Sequence, residues 1–194
     1  MKKLLFLPLL AVLVMAASSS VSTYKADLVS SNIIWKGYKV TGEHTGTVKV
    51  KSGNLQMTDG KLTGGAFEID MTTITCVDLE GPVAGKLVGH LKSDDFFGVE
   101  KFPTAKFVIT RAIPTDSKGN YKIIGNMTLK ETTKEIKFPA AVSEANGQVT
   151  TTAKITIDRS EYNVRFGSGT FFDNLGDKTI YDEFDLNVTL VTKK

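Results

Sequence analysis

The chain has 194 residues, with 24 basic and 21 acidic side chains, a formal net charge of +3 and one cysteine. Two of the basic residues lie in an N-terminal stretch with the pattern of a removed signal, and without them 22 basic residues face 21 acidic ones. Because no dense basic stripe remains, the composition argues against nucleic-acid binding. The single cysteine, Cys76, excludes an internal disulfide, so packing must stabilise the fold.

The first residues have the pattern of a secretory signal peptide, which we assign to residues 1–20. Lys2 and Lys3 precede an apolar run of 14 residues from Leu4 to Ala17, and small residues follow. A membrane span needs about 20 apolar residues, which makes an uncleaved anchor the weaker interpretation. We therefore expect residues 21–194 to form one domain that is periplasmic or secreted and is not an integral membrane protein after signal cleavage.

Alternation of apolar and polar residues predicts short antiparallel strands from Tyr24 onward. Ile33 and Trp35 share one face, and Val48 and Val50 repeat the same period. Turn signals separate these strands at residues 42–46, 51–54 and 59–61. After the pair Gly64 Gly65, the side chains of Phe67, Ile69 and Met71 point to one face, which we expect to be the core.

One helix is predicted, behind Pro82, where the apolar period changes to that of an α-helix. Its apolar residues are Val83, Ala84, Leu87, Val88 and Leu91. Gly85 and Gly89 each cost a helix about 1 kcal/mol relative to alanine, so this helix should depend on docking. Gly98 and Pro103 end the irregular, phenylalanine-rich segment that follows.

Strand periodicity returns at Ala105 and continues to the C-terminus. Residues 115–120 have the composition of a hairpin loop, and Asn146 Gly147 is a strong two-residue hairpin signal. The last strand, with Phe184, Leu186, Val188 and Leu190 on one face, is the clearest alternation in the chain. Residues 163–178 are rich in Gly and Phe and are either a covering loop or a lid at a ligand-binding mouth.

About eight strands with short hairpins predict a mainly all-β fold, an antiparallel barrel, because closure removes exposed strand edges. A β-sandwich is the alternative. An outer-membrane barrel is disfavoured by the helix, by the absence of Tyr and Trp girdles, and by the many charged outward positions. A barrel of this size either fills with side chains or holds one small ligand, and the periodicity does not distinguish these cases.

Five segments carry a resemblance to a known family. They are Ser31–Trp35 with His44 Thr45 Gly46, Leu62–Met71, Gly89–Thr104, Gly125–Lys134 and Ile157 Asp158 Arg159 Ser160. Through them the chain resembles the YceI-like family of exported lipid- and polyisoprenoid-binding proteins. Glu131 and Gly98 depart from the family pattern, at positions that we expect to be surface turns. The resemblance implies a lipocalin-like barrel whose cavity holds an amphiphile with a long apolar chain.

On this interpretation the inward face of the strands binds the apolar chain, because burial of each CH₂ contributes about 0.8 kcal/mol. Ile136 and Leu190 belong to this inward set. The side chains that we predict to line the cavity are Phe67, Ile69, Met71, Phe107, Ile109, Ile123, Met127, Leu129, Phe138, Ile155, Ile157, Phe184 and Leu186.

Trp35, His44 and Arg159 are predicted to lie at the mouth and orient the head group. Arg159 offers a fork of donors to a phosphate or carboxylate, or else forms a salt bridge with Asp158, Glu161 or a neighbouring strand. His44 is either a head-group contact or a hydrogen-bonded structural histidine. His90 is predicted to be a packing residue on the helix.

Three phenylalanines of the irregular segment, Phe96, Phe97 and Phe102, are predicted to plug or gate one end of the barrel. His90 and the pair Asp94 Asp95 lie in the same segment without a catalytic partner in the sequence.

No catalytic residue and no metal site is predicted, since neither histidine stands at recognised metal-ligand spacing and no nucleophile elbow is present. No cofactor is expected beyond a bound isoprenoid-type lipid. The leading hypothesis is a non-enzymatic carrier of a polyisoprenoid, isoprenoid quinone or fatty-acid derivative. A lipid hydrolase or isomerase and a dry structural barrel stay as alternatives, and a homodimer stays open.

Overall fold

The computed structural model describes residues 20–194, so the predicted signal peptide lies, apart from Ser20, outside the described residues. This part of the chain folds into nine strands and one α-helix. Their bounds are β1 Val21–Ala26, β2 Asn32–Lys39, β3 Gly42–Thr58, β4 Lys61–Asp70, α1 Gly81–Lys92, β5 Thr104–Pro114, β6 Asn120–Leu129, β7 Thr132–Ala145, β8 Gln148–Asp158 and β9 Ile180–Lys193.

The strands form one closed antiparallel barrel. Neighbours follow the order β3, β2, β9, β8, β7, β6, β5 and β4, and β4 pairs with β3 to close the ring. This confirms the predicted eight-stranded, lipocalin-like barrel and excludes the sandwich. Closure leaves the core inside the ring, where one face of every strand meets the others.

The ninth strand arises because β1 and β2 share one position in the barrel. β2 pairs with the first part of β3, with Ile33 opposite Val48, and with β9. β1 pairs with the last part of β3, with Tyr24 opposite Leu55, and meets β9 only near the C-terminus. The long strand β3 therefore bridges two short strands that lie end to end.

The period-two pattern explains which side chains enter the barrel. In β4, Phe67 and Ile69 are buried, whereas the alternating residues Glu68 and Asp70 keep part of their surface in water. Gly125 in β6 is required by packing, since a Cβ there would lie 2.5 Å from Cζ of Phe107. Glycine at this point lets the ring of Phe107, from the neighbouring strand β5, lie against the backbone of β6.

The helix α1 confirms the predicted helix and begins with Pro82 in its first turn. None of its residues is fully buried, and Leu87, Val88 and Leu91 are half-buried, as expected for a helix that rests on the end of a barrel. Within residues 20–194, no helix combines the length and the apolar character needed to cross a membrane.

The two ends of the barrel are built differently. The helical end carries α1, the β2–β3 and β6–β7 turns and the β8–β9 loop (residues 159–179). The opposite end has three short turns, one of which is the predicted Asn146 Gly147 hairpin. Both of these residues have positive φ, at 53° and 72°, which matches the favoured two-residue hairpin turn.

Candidate functional site

The barrel encloses a cavity of about 150 Å³, called here the barrel cavity. All fifteen side chains of the predicted inward set lie on its wall, and every strand from β2 to β9 contributes to it. Within residues 20–194, Thr151 is the one polar side chain on this wall, and its hydroxyl lacks a hydrogen-bond partner. The role of the fifteen predicted side chains as ligand contacts stays a prediction.

The interior is partly packed and partly open. Leu55, Ile123 and Ile157, which also line the barrel cavity, are between 1% and 2% exposed. In contrast, Phe107, Ile155 and other inward side chains are only partly buried, although they point into the barrel. Periodicity left the choice between core and cavity open because it reports only which face a residue occupies.

A second cavity of about 270 Å³, the vestibule, lies at the helical end. Trp35, Ile74, Phe97 and Phe184 line both the vestibule and the barrel cavity, so they form a constriction between the two. Leu87 and Leu91 of α1 and Phe166 of the β8–β9 loop cover the vestibule. The polar side chains on its wall are Tyr38, Lys39, His44, His90, Arg159 and Tyr181.

Trp35 is fixed in the constriction by its indole N–H, which donates to the backbone oxygen of Thr75 at 3.0 Å. A Cβ at Gly46 would lie 1.8 Å from that same oxygen, so only glycine permits this approach. The sequence pattern found Trp35 but not Thr75, because the segment between β4 and α1 has no periodicity.

His44 lies on the vestibule wall and is held by Asp78. Its Nδ1 is 2.8 Å from Oδ2 of Asp78, and the other carboxylate oxygen accepts hydrogen bonds from the Thr45 amide and the Cys76 thiol. Both predicted roles of His44 are therefore compatible. Among residues 20–194, no group is hydrogen-bonded to its Nε2, which leaves that nitrogen for a ligand.

The pKa values of the Asp78 carboxyl and the Cys76 thiol follow from these contacts. Partial burial acts to raise the pKa of Asp78, but hydrogen bonds from Thr45, His44 and Cys76 outweigh it and hold the pKa at about 2. Burial, reinforced by the bond to Asp78, raises the pKa of Cys76. Cys76 is thus a protonated thiol that donates to a carboxylate, a role with no signal in the sequence.

Arg159 also lies on the vestibule wall, but most of its donors are already used. Nε donates to the backbone oxygen of Tyr181 at 3.1 Å, Nη1 to that of Val164 at 2.8 Å, and Nη2 to that of Ile180 at 2.9 Å. Nη2 is also 3.3 Å from Oδ1 of Asp182. The predicted alternative of a salt bridge to a neighbouring strand is present, and Arg159 ties the start of the β8–β9 loop to the first residues of β9.

Burial affects the pKa of the Arg159 guanidinium. Arg159 is 2% exposed, and burial lowers its pKa while Asp182 and Asp158 act to raise it. An arginine stays charged even so. Its guanidinium lies 5.2 Å from the ring centre of Phe96, which joins the loop to the irregular segment after α1.

Two of the three predicted gate residues line these cavities. Phe96 lines the vestibule, and Phe97 lies in the constriction. Phe102 lines neither cavity: it lines a separate cleft with Tyr162 and Lys130 of the β6–β7 turn, at the same end of the barrel, so its role in the gate stays a prediction.

Phe166 packs against the helix at the vestibule. Its ring lies edge-on to His90 at 4.4 Å between centroids, and His90 packs in the same way against Phe96 at 5.3 Å. His90 is thus the packing histidine that was predicted. Phe166 belongs to the phenylalanine-rich loop that was predicted to be a cover or a lid.

Within residues 20–194, no group of three or more His, Cys, Asp or Glu side chains is arranged to hold a metal ion.

A closed eight-stranded barrel with an apolar interior, covered at one end by a helix and a long loop, defines the lipocalin-like class. The sequence model of the YceI-like domain matches residues 24–192, which is nearly the whole described chain. The chain belongs to the YceI-like family.

Comparison with individual proteins agrees with this. The chain is 33% identical over 88 residues to a UPF0312 protein of Shewanella denitrificans, a match that spans 45% of the chain and 44% of that relative. It is similar in structure to BcnA of Burkholderia cenocepacia, with a TM-score of 0.70 and 20% identity over 86% of this chain and 98% of BcnA.

A polyisoprenoid binding domain from Saccharophagus degradans, implicated in plant cell wall breakdown, is also similar in structure. The TM-score is 0.64, with 11% identity over 88% of this chain and 97% of that domain. At these identities, both structural matches show the fold.

Proposed function

We propose that this protein binds a single-chain amphiphile, with the apolar chain in the barrel cavity and the polar head in the vestibule. The observation that carries the proposal is the shared constriction. Trp35, Ile74, Phe97 and Phe184 line both cavities, so one ligand can extend from the largely apolar barrel cavity into a space with hydrogen-bonding groups. We include isoprenoids and fatty-acid derivatives in this class, and the Saccharophagus domain supports the isoprenoid.

The apolar chain supplies most of the affinity. Burying one five-carbon isoprene unit contributes on the order of 4 kcal/mol, before the cost of association and of ordering the chain is subtracted. A neutral hydrogen bond to the head group contributes about 1 kcal/mol net. Two isoprene units in the barrel cavity therefore outweigh any one contact in the vestibule.

Head-group selection then falls mainly to His44. Arg159 is engaged by three backbone oxygens, and the hydroxyl of Tyr38 donates to Asp185 at 2.9 Å. His44 keeps Nε2 for a ligand while Asp78 fixes the orientation of the ring. Trp35 supplies the apolar surface beside the head group, and Arg159 contributes positive potential from behind Phe96.

We further propose that the protein is a carrier rather than an enzyme and that it acts in the periplasm or outside the cell. An exported carrier fits the signal-like residues 1–20 and the largely apolar wall of the site. A lipid hydrolase is the second candidate, favoured by one observation: a histidine oriented by a carboxylate is a common general base.

Organic extraction of the purified protein, followed by mass spectrometry, tests the proposal. A linear long-chain lipid in nearly equimolar amount is expected. A protein that is isolated empty and takes up no such lipid in vitro contradicts the proposal. Conversion of the bound lipid that is lost in His44→Ala, with binding retained, favours the hydrolase instead.

A further inference from the structure

The barrel wall is incomplete between β7 and β8. The two strands pair from Ala140 opposite Ala153 to Ala145 opposite Gln148, and no further. Beyond this point, β7 continues to Thr132 in contact with β6, and β8 continues to Asp158 in contact with β9. Two strand edges therefore diverge towards the helical end without hydrogen bonds between them.

Pro139 explains where the pairing stops. The amide of Val142 donates to the backbone oxygen of Gly119, on the β6 side, at 2.8 Å. The register between β6 and β7 is unbroken, so amides alternate and that of position 139 would point to β8. Proline has no N–H. The next hydrogen-bonded pair of the ladder, in which Pro139 would lie opposite Lys154, therefore lacks one of its two amide donors.

The edges of the gap must meet water or a ligand. By the same alternation, the backbone amides and carbonyls of Lys137, Lys154 and Thr156 face the gap, beyond the last paired residues of β7 and β8. Buried backbone groups are almost always paired, so groups without a protein partner indicate a gap that is open to solvent. A sealed wall would leave them unsatisfied at a cost of about 1 to 3 kcal/mol each.

The gap joins an outer groove to the barrel cavity. The groove has a volume of about 850 Å³ and passes over the point where β7 and β8 part. Phe138, Ala153 and Val188 line both the groove and the barrel cavity. Exposed Lys137 and Lys154 stand on the two sides of the gap.

Bulky side chains lie at both ends of the barrel. Trp35 and Phe97 form the constriction at the helical end. At the opposite end, Tyr24, Met57 and Tyr121 are buried next to the short turns, with exposures of 4% to 6%. A long apolar chain that loaded through either end would have to pass lengthwise between these side chains.

We propose that the gap between β7 and β8 is a lateral portal through which the linear apolar chain of the ligand enters and leaves the barrel cavity. This inference rests on the proposed function and adds the route by which the ligand reaches the barrel cavity.

Bridging the gap tests the portal. In a Cys76→Ser background, Lys137→Cys and Thr156→Cys place thiols on the outward faces of the two edges, opposite each other if the register continued. The matched control is Ser143→Cys with Thr150→Cys, an outward-facing pair on the paired part of the same strands, outside the residues that line the groove. Both pairs are bridged with bis-maleimides of increasing length, and loading and release of dansyl-labelled farnesol are followed by stopped-flow fluorescence.

The bridge across the gap is expected to slow loading and release by about tenfold or more, with unchanged equilibrium affinity, while the control bridge changes neither rate. Pro139→Val restores the missing amide donor and is expected to slow exchange in the same direction without any cross-link. Equal slowing by the control bridge counts against the portal, because it would show a general effect of rigidity.

A third pair separates the portal from the helical end. His90→Cys with Phe166→Cys ties α1 to the β8–β9 loop, where the two native rings are in contact. If this third cross-link slows exchange, while bridging the gap and Pro139→Val leave exchange unchanged, the portal is refuted and the proposed function stands. A protein that binds no dansyl-labelled farnesol at equilibrium refutes the proposed function and the portal together.

Discussion

The guanidinium of Arg159 lies 5.2 Å from the ring centre of Phe96 and at the same time bonds to three backbone oxygens of the segment from Val164 to Tyr181. One buried cation thus connects the segment after α1 with the loop that covers the vestibule. Because these hydrogen bonds hold the fold together, we expect removal of the Arg159 side chain to lower the stability of the protein.

Arg159→Met should lower the free energy of unfolding by about 3 kcal/mol, because it leaves buried carbonyls and Asp182 without their partner. Denaturant unfolding measures this. Arg165→Met is the matched control, since Arg165 is exposed and stacks on Phe171, and it should change stability by less than about 0.5 kcal/mol. Equal effects of the two substitutions would contradict the structural role of Arg159.

Leu186→Asp should abolish lipid retention, because it places a charge on the wall of the barrel cavity. The neighbouring Asn187→Asp, on the exposed outer face of the same strand, should retain lipid at the level of the unchanged protein. Extraction and mass spectrometry measure retention, and circular dichroism confirms folding. Loss of lipid in both variants would contradict the assigned faces.

Ala153→Phe tests the same cavity without introducing a charge. If the larger ring displaces about two CH₂ groups of the ligand, affinity falls by about 1.6 kcal/mol, which is roughly tenfold. Fluorescence titration with dansyl-labelled farnesol checks this value. Unchanged affinity in a folded variant would mean that the ligand does not occupy the barrel cavity.

Asp78→Asn should reduce the acid sensitivity of the fold. The pKa of Asp78 is lowered from 3.8 to about 2, so its contribution is fully present above pH 4 and is lost as the pH falls towards 2. For this partly exposed group we expect about 1 to 2 kcal/mol. Unfolding at several pH values should show a smaller loss between pH 4 and 2 in the variant, and identical pH profiles would contradict this.

The same substitution should make Cys76 more reactive. Burial and the carboxylate of Asp78 raise the pKa of the thiol, so removing the charge should lower that pKa and raise the thiolate fraction. Iodoacetamide alkylation at pH 8 should therefore be faster in Asp78→Asn than in the unchanged protein. The unfolded chain provides the reference rate, and a slower reaction in the variant would contradict the proposed contact.

Two glycines should respond in opposite ways to alanine. Gly125→Ala should destabilise the barrel by about 1 to 3 kcal/mol, because the new Cβ meets the ring of Phe107. Gly85→Ala on α1 meets nothing within 4 Å and should stabilise the protein by up to about 1 kcal/mol. Thermal unfolding distinguishes them, and a stable Gly125→Ala would show that the interior is looser than described.

Much of the barrel could be predicted from the sequence, because strand alternation is a local property. Phe67, Ile69, Phe184 and Leu186 point inward for the same reason that their neighbours point outward, and turn residues such as Asn146 Gly147 mark where strands reverse. The helix behind Pro82 was equally clear from its change of period.

Contacts between distant, non-periodic segments could not be predicted. Asp78 contacts His44, and Phe166 packs against His90. Arg159 donates to one backbone oxygen of the β8–β9 loop and to two of β9. Each depends on how loops of irregular conformation fold over the end of the barrel, which no periodicity encodes.

By itself, the sequence determined the strand faces, the helix and the family, because these depend on local patterns and specific motifs. Three features became apparent only in the folded structure: the cavity inside the barrel, the vestibule next to it, and the end of the β7–β8 pairing at Pro139. The physical reason is that volume and pairing between strands depend on all eight barrel positions at once, whereas alternation concerns one strand at a time.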